Sequence, residues 1–131
     1  MKLIQGAGSL ADRYKSYTKD LTTTGEVAIY TVPTTDAGAV PPVYPTTAII
    51  KSIRVCNDSG SADTITLQLL DSSNSDFEAA ICDVQALAAN TAVEILQYGP
   101  IVANEGDIVK ATAATANRLH VILSVLEISQ T

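Results

Sequence analysis

The chain has 131 residues, of which 47% are hydrophobic, 17% charged and 5% aromatic, with no Trp, one His and two Cys. A single domain of this length buries a full core without a metal or disulfide, so apolar a chain is not intrinsically disordered, and no run approaches the roughly 18 apolar residues of a bilayer span. The formal net charge of −6 is uneven: residues 1–20 carry four basic and two acidic side chains, residues 21–131 four basic and twelve acidic, and so acidic a body repels phosphate backbones.

In chain order, residues 1–24 form a mildly basic leader containing Lys2, Arg13, Lys15 and Lys19. Met1-Lys2-Leu3-Ile4 begins like a secretory signal, but Gln5, Gly6 and Gly8 interrupt the apolar run, so no signal peptide is expected. Arg13, Tyr14, Lys15 and Tyr17 interleave cations with rings. Two tyrosines make a thin base-stacking patch, and anchoring on a neighbouring subunit suits the pattern better. The leader therefore reads as an extended N-terminal arm over 1–24, followed by a folded domain over 25–131.

From residue 26 the hydrophobic period is two. Val27, Ile29 and Thr31 alternate with Ala28, Tyr30 and Val32, and Pro33 ends the run. Residues 33–47 hold four of the five prolines and form a long loop, whose Val43 and Tyr44 are candidates for partner contact. A β-branched strand follows at 48–56, then turn residues Asn57-Asp58-Ser59-Gly60-Ser61, then a strand in which Ile65, Leu67 and Leu69 alternate with Thr64, Thr66 and Gln68. The pattern predicts a hairpin of 48–56 with 64–69.

Asp71, Asn74, Asp76 and Glu78 place four oxygen ligands within eight residues. A hard cation such as Ca²⁺ takes such ligands, but the glycine and spacing of an EF-hand are missing and acidic hairpin tips are common. No metal or other cofactor is expected. Strands are predicted at 78–85 and 92–97; Ala and Leu make a helix available over 77–90, but Ile81 and Val84 favour a strand. Gly99-Pro100 and Asn104-Glu105-Gly106-Asp107 punctuate the last third, where strands at 107–114 and 118–128 are joined by Thr115-Ala116-Asn117.

Seven to eight short strands with turn signals between them indicate an all-β fold, an antiparallel β-sandwich or jelly roll. Within 118–128, Leu119, Val121, Leu123 and Val125 share one face, while Ile122, Leu126 and Ile128 occupy the other. The outer face of a sandwich is ordinarily polar, so apolar residues on both faces point to a subunit interface. Cys56 and Cys82 have no metal-ligand spacing and read as two buried thiols of a protein made in a reducing cytosol. His120 reads as a half-buried, hydrogen-bonded strand histidine, and no nucleophile–base pair is discernible, so the chain is not expected to be an enzyme.

Val27-Ala28-Ile29-Tyr30-Thr31-Val32-Pro33 leads through the loop into Thr47-Ala48-Ile49-Ile50-Lys51-Ser52-Ile53-Arg54-Val55-Cys56-Asn57, and Gly106-Asp107-Ile108-Val109-Lys110-Ala111 precedes the hydrophobic last strand. Over residues 25–128 this resembles small β-sandwich virion structural proteins of tailed bacteriophages, components of capsid decoration, neck or tail. The Pro-rich insertion at 36–45 departs from the short turn expected there. The resemblance implies a non-enzymatic protein of the virion, synthesised in the host bacterial cytoplasm. It would be a homo-oligomer, a trimer being favoured, that decorates or cements the capsid through arm and sheet-face contacts. Its other partners would be major capsid or neck and tail proteins, with no nucleic-acid or membrane partner. The alternatives are a neck or tail component, or a receptor- or carbohydrate-binding sandwich using Tyr44, Tyr98 and the acidic 71–78 loop.

Overall fold

A computed structural model describes residues 10–40 and 42–130. The first nine residues of the expected arm therefore lie outside the described residues. Among the described residues nine strands form: β1 (Leu10–Leu21), β2 (Val27–Thr31), β3 (Thr46–Asn57), β4 (Asp63–Asp71), β5 (Phe77–Leu87), β6 (Thr91–Glu94), β7 (Ile101–Ala103), β8 (Ile108–Ala113) and β9 (Leu119–Gln130). One sheet has the order β1-β9-β3-β6, with β7 also on β3; the other has the order β2-β8-β4-β5. Neighbours pair antiparallel, and β4–β5 is the hairpin retained within one sheet while most other connections cross between layers. The result is the expected jelly-roll-like β-sandwich.

The core follows from the two-residue period, because successive side chains of a strand point to opposite faces. Ile53 and Val55 of β3, Ile65 and Leu67 of β4, Val109 and Ala111 of β8, and Leu119, Val121, Leu123 and Val125 of β9 are all buried in one cluster. Each large aliphatic side chain so buried stabilises the fold by about 1.5–3 kcal/mol.

The expected hairpin of 48–56 with 64–69 does not form. β3 instead takes β9 as neighbour over eleven residue pairs, and β4 lies in the opposite sheet between β8 and β5. Residues 58–62 are thus a crossover between layers. Buried Asn57 holds it: Nδ2 donates to the carbonyls of Ser61 and Leu87, and Oδ1 accepts from the Ser59 amide and hydroxyl. Turn-forming residues mark where a chain reverses, but a hairpin and a crossover use the same chemistry.

Two of the nine strands had no strand signal in the sequence. β7 is three residues long, and β1 carries Arg13, Lys15 and Lys19 at the alternate positions where apolar residues would reveal a strand. The β3–β9 ladder shifts register between Ile50 and Ser52. Glu94 satisfies the groups freed there, accepting from the Ser52 hydroxyl and, through Oε2, from the amides of Ile53 at 2.9 Å and Leu96 at 3.0 Å. β5 breaks register twice against β4, and exposed Val84 sits at φ 48°, its amide donating to Thr66 Oγ1. Such bulges blunt an edge strand against unplanned pairing.

One end of the sandwich gathers the β2–β3, β4–β5 and β7–β8 connections. Buried Asp107 ties them, Oδ1 accepting from the amide and hydroxyl of Ser72 and Oδ2 from the Asn104 amide. Gly106 beside it adopts φ 83°, and a Cβ there would lie 3.0 Å from Ser72 Oγ, so any other residue would be strained. The Pro-rich loop is closed by reciprocal backbone hydrogen bonds of Asp36 and Val43, leaving Val40 exposed at its tip.

Candidate functional site

The two outer sheet faces differ in kind. On the four-stranded sheet, Thr66 lies opposite Thr112 and Gln68 opposite Lys110, whose ammonium reaches Glu78 at 2.8 Å and Glu26 at 3.4 Å. The hydrogen bond to Glu78 holds the lysine pKa above its ordinary value. This is the wet face of an ordinary sandwich.

The five-stranded sheet presents an apolar face instead. Because Leu119, Val121, Leu123 and Val125 point inward, Ile122, Leu126 and Ile128 point outward. The register then aligns Tyr14, Leu126, Ile49 and Val102 in one row across β1, β9, β3 and β7. Tyr14 is 78% and Val102 56% exposed, so the row meets solvent at both ends. Beside it, Ser16, Ser124 and Ser52 form a small-residue row, and an open groove of about 530 Å³ runs past Tyr14, Ser16, Lys51 and Ser124. Polar groups rim the face. Thr18, Ile122, Arg54 and Glu94 occupy the next row, and His120 bridges Asp20 (Nδ1, 3.3 Å) and Asp58 (Nε2, 2.9 Å) beyond it.

Glu127 breaks the aliphatic series of inward residues on β9 as a fully buried carboxylate. Its Oε2 accepts from Tyr30 Oη at 2.6 Å and Tyr17 Oη at 3.1 Å, and the two rings pack with centroids 4.6 Å apart. Its Oε1 accepts no hydrogen bond among the described residues but lies 3.6 Å from Arg13 Nη2 and 3.7 Å from Lys15 Nζ. Both cations are half exposed, so their stems cover the socket while their charged ends keep water. Burial, reinforced by hydrogen bonding to the carboxylate, pushes the Tyr17 pKa up to about 12 and raises that of Tyr30 further. A buried charge is costly unless paired and hydrogen-bonded, so this cluster fastens the edge strand β1 to the body.

Several expected interface residues separate accordingly. Arg13, Lys15 and Tyr17 turn toward Glu127, whereas Tyr14 faces out beside Leu126. Ile122, Leu126 and Ile128 share the outer face with it, while Val43 and Tyr44 lie in the loop before β3. The acidic loop does not converge: Asp71 accepts from the Ser73 amide and hydroxyl, Asp76 sits at φ 57° in the turn, and Glu78 pairs with Lys110. Among the described residues no group of three or more His, Cys, Asp or Glu is placed to hold a metal. The thiols are half-buried rather than buried, free, and in different sheets; burial raises the pKa of Cys82. Tyr98 edges a groove lined by Leu69, Ile81, Ile95, Leu96 and Ile101, which includes neither Tyr44 nor the acidic loop.

Sequence reasoning missed Glu127, Ile49 and Val102. Glu127 was within reach, since it continues the inward series 119, 121, 123, 125 with a carboxylate. Ile49 and Val102 become outward residues only through the register of β3 with β9 and β7.

No protein-family model matches the chain, and no curated protein matches it by sequence. Among solved structures it is similar to a chain from Bacillus endospore appendages, described as a novel family of disulfide-linked pili. The identity is 9%, the match covers 99% of this chain and 96% of that one, and the TM-score is 0.54. It is also similar to a chain in the structure of infectious bursal disease virus, Gx strain, at 10% identity and TM-score 0.50. That match covers 91% of this chain but only 32% of the viral one. At such identities the likeness is one of fold.

Proposed function

We propose that this protein is a non-enzymatic structural subunit of a virion that associates with further copies of itself through the outer face of its five-stranded sheet. The observation that carries the proposal is the contrast between the two outer faces. One centres on threonine, glutamine and lysine, with a single apolar pair, Leu70 and Ile108, at one end; the other aligns Tyr14, Leu126, Ile49 and Val102 across four strands, with Ile122 and Ile128 alongside. The three twelve-residue strands β1, β9 and β3 present a face of about 40 Å by about 14 Å, so two copies that cover it bury about 1,100 Å² between them, just past the ~1,000 Å² of a specific interface. Fold neighbours that build pili and a virus support an assembly role.

Within the virion, decoration or cementing of a tailed-phage capsid is the place the sequence resemblance favours, ahead of the neck or tail. Packing of the face on a different surface of the next copy closes a ring, of which a trimer is the favoured size. Multivalency then turns a modest contact into a stable layer. Light scattering on the full chain over a range of micromolar concentrations tests the proposal. A mass that is a multiple of 13.7 kDa is expected, and a strict monomer throughout would contradict self-assembly.

A further inference from the structure

The edge of β9 and the Glu127 socket together form a second interaction surface, and we infer that in the assembled state it is filled by β1 of another copy. The inference rests on the self-assembly proposed for the outer face and adds the means by which copies are tied together. Three observations carry it.

First, β1 contributes little to the core. Of residues 12–21, Leu21 alone is buried and Tyr17 is half-buried; the rest are exposed. What holds the strand is a ladder of twelve residue pairs with β9 and the polar cluster at Glu127. A β1 from any copy reproduces both, so exchange conserves every hydrogen bond and ion pair.

Second, the socket demands an occupant of this chemistry. Glu127 is fully buried, and among the described residues its Oε1 accepts no hydrogen bond, only the approach of two cations from β1. Without a β1, a buried carboxylate would lose Arg13, Lys15 and the Tyr17 hydroxyl together, beside an unpaired strand edge. The same inward charges make β1 a poor partner for an ordinary apolar sheet, which restricts it to a β9 that offers Glu127.

Third, the connection permits the move. Thr22 to Glu26 is exposed throughout and links β1 in one sheet to β2 in the other. Five residues span at most about 17 Å when extended, enough to redirect the strand to an adjoining copy but not to a distant one.

The test uses two full-length single variants, Lys19→Cys and Val121→Cys. These positions are directly opposed across β1 and β9, and Val121 is fully buried, so only a strand lying beside β9 reaches it. The two are refolded together, oxidised, and examined by non-reducing gel and by mass spectrometry of the linked peptides; light scattering is run on the same sample. Exchange predicts a disulfide between residue 19 of one variant and residue 121 of the other. The double variant Lys19→Cys/Val121→Cys supplies the within-chain reference. A 19–121 link in the double variant without one in the mixture overturns the exchange. If the mixture is still oligomeric by light scattering, assembly through the sheet face survives that result; if it is monomeric, both fail.

Discussion

Tyr30→Phe isolates the socket that joins β1 to the body. The substitution removes one oxygen and leaves the ring in place, so packing against Tyr17 is preserved while the 2.6 Å hydrogen bond to Glu127 Oε2 is lost. Tyr17, at 3.1 Å and half-buried, would remain as the single direct hydrogen-bond donor among the described residues to a carboxylate that is 0% exposed. A hydrogen bond to a buried charge contributes about 1.5–3 kcal/mol. With an unfolding entropy of about 2.1 cal/mol/K per residue, that loss lowers Tm by about 5–11 °C for a chain this long. Tyr17→Phe, at the longer and wetter contact, should cost about 1 kcal/mol or less. Urea unfolding at fixed protomer concentration, with m unchanged, is the assay. A Tyr30→Phe protein within about 0.5 kcal/mol of wild type would refute the reasoning, because the carboxylate would then have found water or another donor.

Asp107→Ala removes the shared acceptor for the Ser72 and Asn104 amides, and should cost about 2–4 kcal/mol in urea midpoints, with Asp107→Asn intermediate. Glu94→Ala should act locally: amide exchange at Ile53 and Leu96 accelerates while that of Leu67 in the other sheet does not. The pH dependence has a definite sign, since a raised tyrosine pKa means that folding stabilises the neutral hydroxyl. The contribution of Tyr17 is complete below about pH 10, the unfolded value. It is lost as pH rises toward its folded value of about 12. Chemical denaturation across that window should show the fall, and Tyr17→Phe should make it shallower.

The two-residue period made most of the sandwich legible, because burial on one face writes itself directly into alternation: Ile65 and Leu67 in β4, or Leu119 to Val125 in β9. β1 escaped because its inward positions are charged, and those charges make sense only beside Glu127, more than a hundred residues later. Neighbour choice escaped for a related reason. The residues around Asn57 to Ser61 encode a reversal, whereas pairing of β3 with β9 is a long-range packing outcome that no local pattern reports. The outer apolar face was half legible: Ile122, Leu126 and Ile128 stood out against a strand already apolar on its other side. Ile49, adjacent to buried Ile50, offered no alternation to read, and its outward direction follows from the ladder with Leu126 and Val102.

The central claim concerns which surface joins the copies, and sedimentation velocity of two lysine variants tests it most directly. Leu126→Lys places a charge in the middle of the apolar row, whereas Thr112→Lys places one on the polar outer face of the other sheet. Assembly through the five-stranded sheet predicts that Leu126→Lys dissociates at concentrations where wild type and Thr112→Lys remain oligomeric. Loss of assembly in Thr112→Lys with Leu126→Lys unaffected would contradict it.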